Sequence, residues 1–317
     1  MPFTPKARIN KAAIGTVTIG SGASAISLGG DNVLPLCAFD NGQFVRPAVG
    51  VEITDDGFQT ADLPDLAAAY QDTTTAAERA ARAASWPGVD FVCLHLEGAD
   101  PAGLNRSTAD CVALAQSVLA ACQAAGKALA ISGCKNIEKD TELFTALAEA
   151  LDGANVLFLS AREENYKTVG AAAVLAYGHK VGAESAVDIN LAKQLNVLLT
   201  QLGVPASSLV MNLGSAAAGY GFEYVASTMD RVKAAALEQN DTMLQMPVIT
   251  PVSAETWSVK ESIMAESDMP EWGSREERGV QMEIATAAAC LACGSDAVIL
   301  RHPAAIQTIA ALVAALM

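Results

Sequence analysis

The chain has 317 residues, a formal net charge of −15 and an isoelectric point near 4.6, and 51% of its residues are hydrophobic. This length and composition suit one large domain with a substantial core. An acidic surface repels phosphate backbones and anionic lipid headgroups, so neither nucleic acid nor a membrane surface is an expected partner.

Residues 1–10 contain Lys6 and Arg8 but no continuous apolar run behind them, so no secretory signal is predicted. No stretch reaches the length of a transmembrane helix without polar interruption. We therefore expect a soluble, cytoplasmic protein. The cysteines are odd in number and form no dense framework, which favours reduced thiols. They are Cys37, Cys93, Cys111, Cys122, Cys134, Cys290 and Cys293.

The first predicted element is a β-hairpin near the N-terminus. Apolar residues alternate or run together over residues 14–19 and 25–28, on either side of Gly20-Ser21-Gly22. This pattern is typical of two strands joined by a glycine turn. We expect the hairpin to plug the bottom of the domain that follows. Gly29-Gly30-Asp31 and Arg46-Pro47 then bound a loop that leads into that domain.

Eight short apolar runs follow, separated by amphipathic stretches of helix length, and each is predicted to be a buried parallel strand. They cover residues 48–54, 91–97, 128–133, 156–161, 181–187, 208–213, 247–252 and 297–302. Eight strand-then-helix units predict an α/β fold of the TIM (β/α)8 barrel type, whose site forms where the C-terminal strand ends meet the following loops. We therefore interpret residues 1–47 as hairpin and lead-in loop, and residues 48–317 as a single barrel domain.

Three segments near the predicted strand ends stand out. Asp188 is expected to N-cap a helix that ends at Gly203. Residues 214–221 form a glycine-bounded run at the start of another helix, which could hold an anion or a planar ligand, or could be only a tight turn. Residues 250–279 form the longest insertion, and because they include Trp257 and Trp272 we expect them to be ordered and functional.

Polar residues at the predicted strand ends are the candidates for chemistry. Glu97 and Asp100 could bind polar ligand atoms or act as acid and base, although Asp100 could equally cap a helix ahead of Pro101. His302 closes the last strand and could belong to a site. His95 is predicted in mid-strand, where a core or hydrogen-bonding role is favoured.

Cys290 and Cys293 have the spacing of a metal or redox pair, but they lie within a predicted helix. A tetrahedral zinc or iron–sulfur site needs four ligands, and no second pair has matching spacing. Buried structural thiols are therefore the favoured interpretation. No Ser-His-Asp set or phosphate-binding Walker loop is present in the sequence.

Taken in chain order, these signatures resemble the small subunit of the corrinoid iron–sulfur protein, the delta subunit of the acetyl-CoA decarbonylase/synthase system. The resemblance rests on the ordered set rather than on any one motif. The set comprises Gly29-Gly30-Asp31, Leu34-Pro35, Arg46-Pro47, Gly50-Val51-Glu52, Gly98-Ala99-Asp100-Pro101, Gly133-Cys134, Glu138-Lys139-Asp140, Glu164-Asn165-Tyr166-Lys167, Asp188-Ile189-Asn190, Lys193-Gln194-Leu195-Asn196, Gly219-Tyr220-Gly221, Glu223-Tyr224, Trp257, Lys260-Glu261, Trp272-Gly273, Glu277-Arg278-Gly279 and Arg301-His302-Pro303. The fold is also similar to pterin-dependent methyltransferases and dihydropteroate synthase.

The resemblance implies a role in the reductive acetyl-CoA (Wood–Ljungdahl) pathway of anaerobic one-carbon metabolism and carbon fixation. The family protein is a heterodimer that carries a methyl group on cobalt, from methyltetrahydrofolate and its methyltransferase to acetyl-CoA synthase. In that family the large corrinoid iron–sulfur subunit holds the cluster and most corrinoid contacts. This chain would then hold no iron–sulfur cluster, and its barrel mouth would cover the other face of the corrinoid (cobalamin). It is expected to be a non-catalytic subunit.

The residues expected to contact the corrinoid come from the strand-end signatures. They are Asp100, Asn165, Asp188, Asn190, Asn212, Gly219, Tyr220, Gly221, Trp257, Arg301 and His302. The large subunit is expected to dock on the top face, where exposed aromatic residues such as Tyr220 and Trp257 would anchor it. No catalytic and no metal-ligating residue is predicted.

The chain departs from the family pattern after the sixth barrel strand, where Asn212-Leu213 and residues 216–218 replace an Asp-Pro and a glycine-rich turn. The segment after the first barrel strand is also short. One alternative is a stand-alone pterin-dependent methyltransferase or pterin-binding barrel, with Asn190, Asn212 and Asp100 as ring-binding candidates. Another is a relative that kept the barrel and lost the complex.

Overall fold

The structure, a computed structural model, describes residues 10–35 and 42–317. The expectations for residues 1–9 and for Cys37 lie outside the described residues. At the N-terminus, β1 (Thr16–Ile19) pairs antiparallel with β2 (Ile26–Gly29), which confirms the predicted hairpin.

Eight parallel strands form the barrel sheet. They are β3 (Ala48–Thr54), β4 (Phe91–His95), β5 (Ala128–Ser132), β6 (Leu157–Ala161), β7 (Lys180–Glu184), β8 (Leu209–Asn212), β9 (Ile249–Pro251) and β10 (Ala297–Leu300). Their spatial order is β8-β7-β6-β5-β4-β3-β10-β9. Between β8 and β9 the pairing is reduced to one parallel bridge, Met211 with Val248, so the barrel is nearly closed. The predicted TIM-barrel fold is confirmed, with strands that end one to three residues earlier than predicted at several positions.

Helices cover the outside of the barrel and form the insertion after β9. They are α1 (Pro64–Ala69), α2 (Ala76–Ala84), α3 (Thr108–Ala124), α4 (Ile137–Ala150), α5 (Tyr166–Val169) with a following π-helix (Gly170–Ala176), α6 (Ile189–Leu202), α7 (Phe222–Leu237), α8 (Val252–Thr256), α9 (Lys260–Ile263), α10 (Arg275–Cys293) and α11 (Pro303–Leu316). Cys290 and Cys293 lie in the last turn of α10, as the helical interpretation required. Within the described chain no helix combines the length and the apolarity needed to span a membrane.

The hairpin closes the bottom of the barrel, as predicted. Val17, Ile19 and Leu28 are buried against inward-facing residues of the barrel strands, among them Phe91 and Leu157. Asn155, in the loop before β6, donates hydrogen bonds of 2.9 and 2.8 Å to two backbone carbonyls of the hairpin. The bottom of the barrel is thereby filled with apolar side chains, and the opposite end, where the strands terminate, remains open.

Candidate functional site

The C-terminal ends of the strands, called the mouth below, open into a cleft of about 700 Å³. A smaller chamber of about 220 Å³ adjoins it. His95, Lys135 and Ala254 line both spaces, so the two are continuous. A cleft at this end of a parallel barrel is the usual place for a ligand or a partner.

Strand alternation brings three charged side chains together at the bottom of the cleft. Side chains two residues apart on a strand point to the same face, and the inward-facing residues of β3, β4 and β10 lead to Glu52, His95 and Arg301 respectively. Glu52 Oε1 lies 3.0 Å from His95 Nδ1, and Glu52 Oε2 lies 3.0 Å from both Nε and Nη2 of Arg301. We call these three residues the floor triad.

The charges of the floor triad interact strongly with one another because Glu52 is buried. Burial alone would raise the pKa of the Glu52 carboxyl, but the adjacent Arg301 and His95 outweigh burial and hold that pKa well below its ordinary value. Burial lowers the pKa of His95, but the adjacent Glu52 raises it by more, so the pKa of His95 lies above its ordinary value. One buried carboxylate therefore balances two basic groups.

Aromatic rings fix the position of Arg301. The guanidinium carbon lies 4.6 Å from the ring centroid of Phe58 and 5.8 Å from that of Trp257, within the range of cation–π attraction. The backbone N–H of Arg301 donates to Glu283 Oε1 at 2.6 Å. Burial raises the pKa of the Glu283 carboxyl to about 7, although hydrogen bonds from the N–H groups of Arg301 and His302 act against this.

Trp257 and His302 pack together behind the cleft. Their rings are stacked with centroids 6.0 Å apart, and they are 8% and 1% exposed. His302 Nδ1 accepts the N–H of Ala304, which leaves Nε2–H to donate to Glu276 Oε1 at 3.0 Å. Gly279 lies so close to the Trp257 ring that a Cβ at this position would overlap it. His302 is therefore a structural helix cap, and Trp257 lines the cleft although it is mostly buried.

The smaller chamber is mostly polar. Asn212, buried at the end of β8, donates to Ser160 Oγ at 3.0 Å and accepts the N–H of Gly214 at 3.1 Å. Arg162 forms an ion pair with Glu184 at 2.8 Å beside it. The chamber thus combines hydroxyl, amide and carboxylate groups in a small space, which suits a compact polar ligand.

The glycine turn lies outside both spaces. Gly219 and Gly221 have φ values of +89° and +87°, which strongly favour glycine, and Gly221 directly precedes α7. Tyr220 is 47% exposed, and its hydroxyl donates to Glu261 Oε2 at 2.6 Å. The turn therefore presents Tyr220 to solvent and links it to the insertion after β9, and none of its three residues lines the cleft or the chamber.

Comparison with known proteins identifies the family. Residues 16–311 match the family described as CO dehydrogenase/acetyl-CoA synthase delta subunit. The chain belongs to this family. The delta subunit of the acetyl-CoA decarbonylase/synthase complex of Archaeoglobus fulgidus is 32% identical over 92% of this chain and 64% of that protein. Subunit delta 2 of Methanosarcina acetivorans is 30% identical over 92% of this chain and 66% of that protein, so the chain spans about two thirds of these relatives' length.

Solved structures support the barrel fold independently of this family. The dihydropteroate synthase of Yersinia pestis in a sulfonamide drug complex superposes with a TM-score of 0.55 at 14% identity, over 85% of this chain and 93% of that chain. The enzyme of Xanthomonas albilineans gives 0.52 at 16% identity, over 89% and 97%. At such low identity the likeness concerns the fold alone.

The structure places the residues predicted to contact the corrinoid in different environments. Asp100, Trp257 and Arg301 line the cleft, and Asn212 lines the chamber. The Asp100 carboxylate also accepts the N–H of Ala102, but the residues after it form a turn and Ser107 caps α3, so Asp100 is not the helix cap that was the alternative expectation.

Several predicted contacts lie away from both spaces. Asn165 is buried and hydrogen-bonded to Thr141 and to a backbone N–H, Asp188 caps α6, and Asn190 is exposed on the first turn of α6. Tyr220 and Trp257 were both expected to be exposed. Tyr220 is exposed, but Trp257 is buried, so the prediction for Trp257 is wrong.

Two residues that carry the site were not among the predicted contacts. Glu52 was noted only as part of a family motif, and His95 was expected in mid-strand. Strand β4 ends at His95 rather than at residue 97, so this histidine stands at the mouth. The inward alternation of Ala48, Gly50 and Glu52 was the available sequence signal. Within residues 10–35 and 42–317, no three His, Cys, Asp or Glu side chains are grouped as a metal site requires.

Proposed function

We propose that this chain is the small subunit of a corrinoid methyl-carrier complex and that its mouth covers the corrinoid held by a large corrinoid iron–sulfur subunit. In this proposal the complex passes a methyl group from methyltetrahydrofolate, through a methyltransferase, to acetyl-CoA synthase. The observation that carries it is the match of residues 16–311 to the delta-subunit family. The cobalt of the corrinoid would supply the methyl-carrying chemistry.

The rim of the cleft is suited to such a cap. Leu104 and Ile263 line the cleft and are 62% and 51% exposed, so they offer apolar contact area to a partner that covers it. Lys135 and Glu97 add polar groups to the same rim. A flat macrocycle with apolar edges and amide side chains would find both kinds of contact there, and covering the cleft would exclude water from its face.

The proposal is tested by co-expression with the large subunit. We expect a complex that shows a corrinoid visible spectrum, while the lone chain is colourless. Tyr220→Ala should weaken the complex by about 1–4 kcal/mol with little change in the melting temperature of the lone chain, as expected for an exposed interface anchor. Trp257→Ala should instead destabilise the lone chain by about 3–5 kcal/mol, because its ring is buried.

Calorimetry of the complex and thermal unfolding of each lone variant separate these effects. If Tyr220→Ala leaves the affinity for the large subunit unchanged, docking at this face is wrong. If no complex forms with the unmodified chain, the heterodimer itself is wrong. Leu175→Ala is the control, because Leu175 is as exposed as Tyr220 but lies in the π-helix after α5, away from the glycine turn and outside the cleft.

A second candidate function is pterin binding by the lone barrel. The observation that favours it is the polar chamber around Asn212, where hydroxyl, amide and carboxylate groups could bind the edge of a polar ring. A dihydropteroate synthase of the same fold is known with a pterine–sulfa conjugate. Saturable micromolar binding of methyltetrahydrofolate to the lone chain, lost in Asn212→Ala, would support this function over the capping role.

A further inference from the structure

The floor triad leaves donor atoms directed at the cleft. His95 uses Nδ1 for Glu52, and Arg301 uses Nε and Nη2 for the same carboxylate. Among the residues that the structure describes, no hydrogen bond joins His95 Nε2 or Arg301 Nη1 to a protein group. Both residues line the cleft. These two nitrogens are therefore available to a ligand.

The charge of the floor triad favours an anion. With His95 protonated, two cations share one carboxylate, so the triad carries an excess positive charge in a protein whose net charge is −15. Around His95, Glu52 and Glu97 favour its charged form, while burial and Arg301 oppose it. Glu283 faces the backbone of Arg301 and can ionise near neutral pH, since burial raises its pKa to about 7.

The cleft above the floor triad has apolar walls. Phe58, Leu63, Leu66, Trp257 and Ile263 line it, together with Leu104 at the rim. The other charged residues that line the cleft are of both signs: Asp56, Glu97 and Asp100 are acidic, and Lys135 and Arg275 are basic. The volume of about 700 Å³ is that of a site for a small organic molecule.

We propose that the cleft binds a small molecule with an apolar body and a carboxylate or phosphate end, and that His95 Nε2 and Arg301 Nη1 bind that oxyanion at the floor triad. The apolar walls hold the body of the molecule, and the two donors orient it with its charged end toward the bottom of the cleft. Protonation of His95 strengthens the binding, so affinity falls as pH rises. The site belongs to the lone barrel and does not require the methyl-carrier complex.

The test is a nuclear magnetic resonance titration of the full chain labelled with ¹⁵N-histidine. The chain has three histidines, and His179 is buried near the start of β6, bonded to Ala148 and Val156 away from the cleft, so it acts as the internal control. Sodium benzoate provides an apolar carboxylate and phenyl phosphate an apolar phosphate, each compared with sodium chloride at equal ionic strength. The two arms show which oxyanion the site prefers.

We expect the ring signals of His95 to shift saturably with at least one of the two anions while those of His179 do not, and affinity to be about tenfold higher at pH 6 than at pH 8 through linkage to His95 protonation. His95→Gln should weaken binding at least fivefold, which is measured by calorimetry. Lys193→Gln, which removes a surface cation paired with Asp241 outside the cleft, should leave binding unchanged.

Circular dichroism establishes that each variant is folded. The proposal is overturned if neither anion shifts His95 more than chloride does, or if folded His95→Gln binds as tightly as the unmodified chain. If His95→Gln does not fold, the titration of the unmodified chain is sufficient by itself, because a shift of His179 without a shift of His95 also contradicts the site.

Discussion

At the scale of single residues, Glu52 is the most consequential side chain of the mouth. It is buried, and its two oxygens bind His95 and Arg301, which come from strands far apart in the sequence. Removing one member of a buried ion pair leaves the partner charge without compensation, which costs more than the pair itself contributes. The stability of the mouth therefore depends on this carboxylate.

We expect Glu52→Gln to destabilise the chain by about 3–5 kcal/mol at neutral pH, because Arg301 loses its buried counter-charge. The pKa of Glu52 is lowered in the folded state, so its stabilisation is complete above the ordinary glutamate value near 4.5 and is lost as pH falls toward the lower folded value. The unmodified chain should thus lose more stability below pH 4.5 than the variant does.

Urea unfolding between pH 3 and pH 7 measures both effects of Glu52→Gln. Glu97→Gln is the matched control, since Glu97 also lines the cleft but is exposed. The control should change stability by less than about 0.5 kcal/mol. Equal effects of the two substitutions would show that the floor triad does not stabilise the mouth.

At the scale of secondary-structure elements, helix α6 tests two predictions made for one residue, of which the structure confirms only the helix cap. Asp188 was expected both to cap this helix and to contact the corrinoid. In the structure its Oδ1 accepts the N–H groups of Asn190 and Leu191 at 2.7 and 3.2 Å. Gly203, with φ of +107°, ends the helix. The capping role accounts for the aspartate without any ligand.

Asp188→Ala should therefore cost about 0.5–2 kcal/mol of stability, the usual loss for an N-cap, and leave ligand and partner binding unchanged. Asp188→Ser should recover most of the loss, because serine is also a good N-cap. Thermal unfolding and affinity for the large subunit are measured on the same preparations. A loss of affinity in a variant of full stability would restore Asp188 as a contact residue.

At the scale of the whole molecule, a buried acidic pair joins the N-terminal hairpin to the barrel. Asp31 follows β2 and accepts the N–H of Val45, while Asp296 precedes β10 and binds Lys233 Nζ at 2.8 Å. Burial and the neighbouring Asp296 raise the pKa of Asp31 to about 7, against the opposing influence of Lys233. The attachment of the hairpin is therefore sensitive to pH.

The raised pKa of Asp31 sets the sign of this dependence. Its favourable contribution is complete below the ordinary aspartate value of 3.8 and is lost as pH rises through about 7. Asp31→Asn keeps an oxygen for Val45 and removes the charge, so it should stabilise the chain at pH 8 by roughly 1–3 kcal/mol and have little effect at pH 4.

Thermal unfolding at pH 4, 6 and 8 checks this expectation for Asp31→Asn. Asp268→Asn, on an exposed segment of the insertion, serves as the control and should not change the pH profile. If the variant followed the same pH profile as the unmodified chain, the pKa of Asp31 would not be raised by folding, and the expectation would be wrong.

The sequence by itself determined the elements and their order. Strand runs such as residues 48–54, the hairpin around Gly20, and the limits of α6 at Asp188 and Gly203 all depend on neighbours within a few residues. The eight strand-then-helix repeats then predicted the barrel and its open end. Asn212 and Arg301 could be placed at the mouth from the sequence, because Asn212 is the last residue of β8 and Arg301 is the first residue after β10.

Only the tertiary structure decided which side chains meet there. Glu52, His95 and Arg301 converge because β3 pairs with β4 on one side and with β10 on the other, a register that no local pattern contains. His302 directly follows Arg301, yet it points away from the cleft to Glu276, because successive residues of an extended chain alternate in direction. Burial of Trp257 likewise depends on α10, which leaves room for its ring at Gly279.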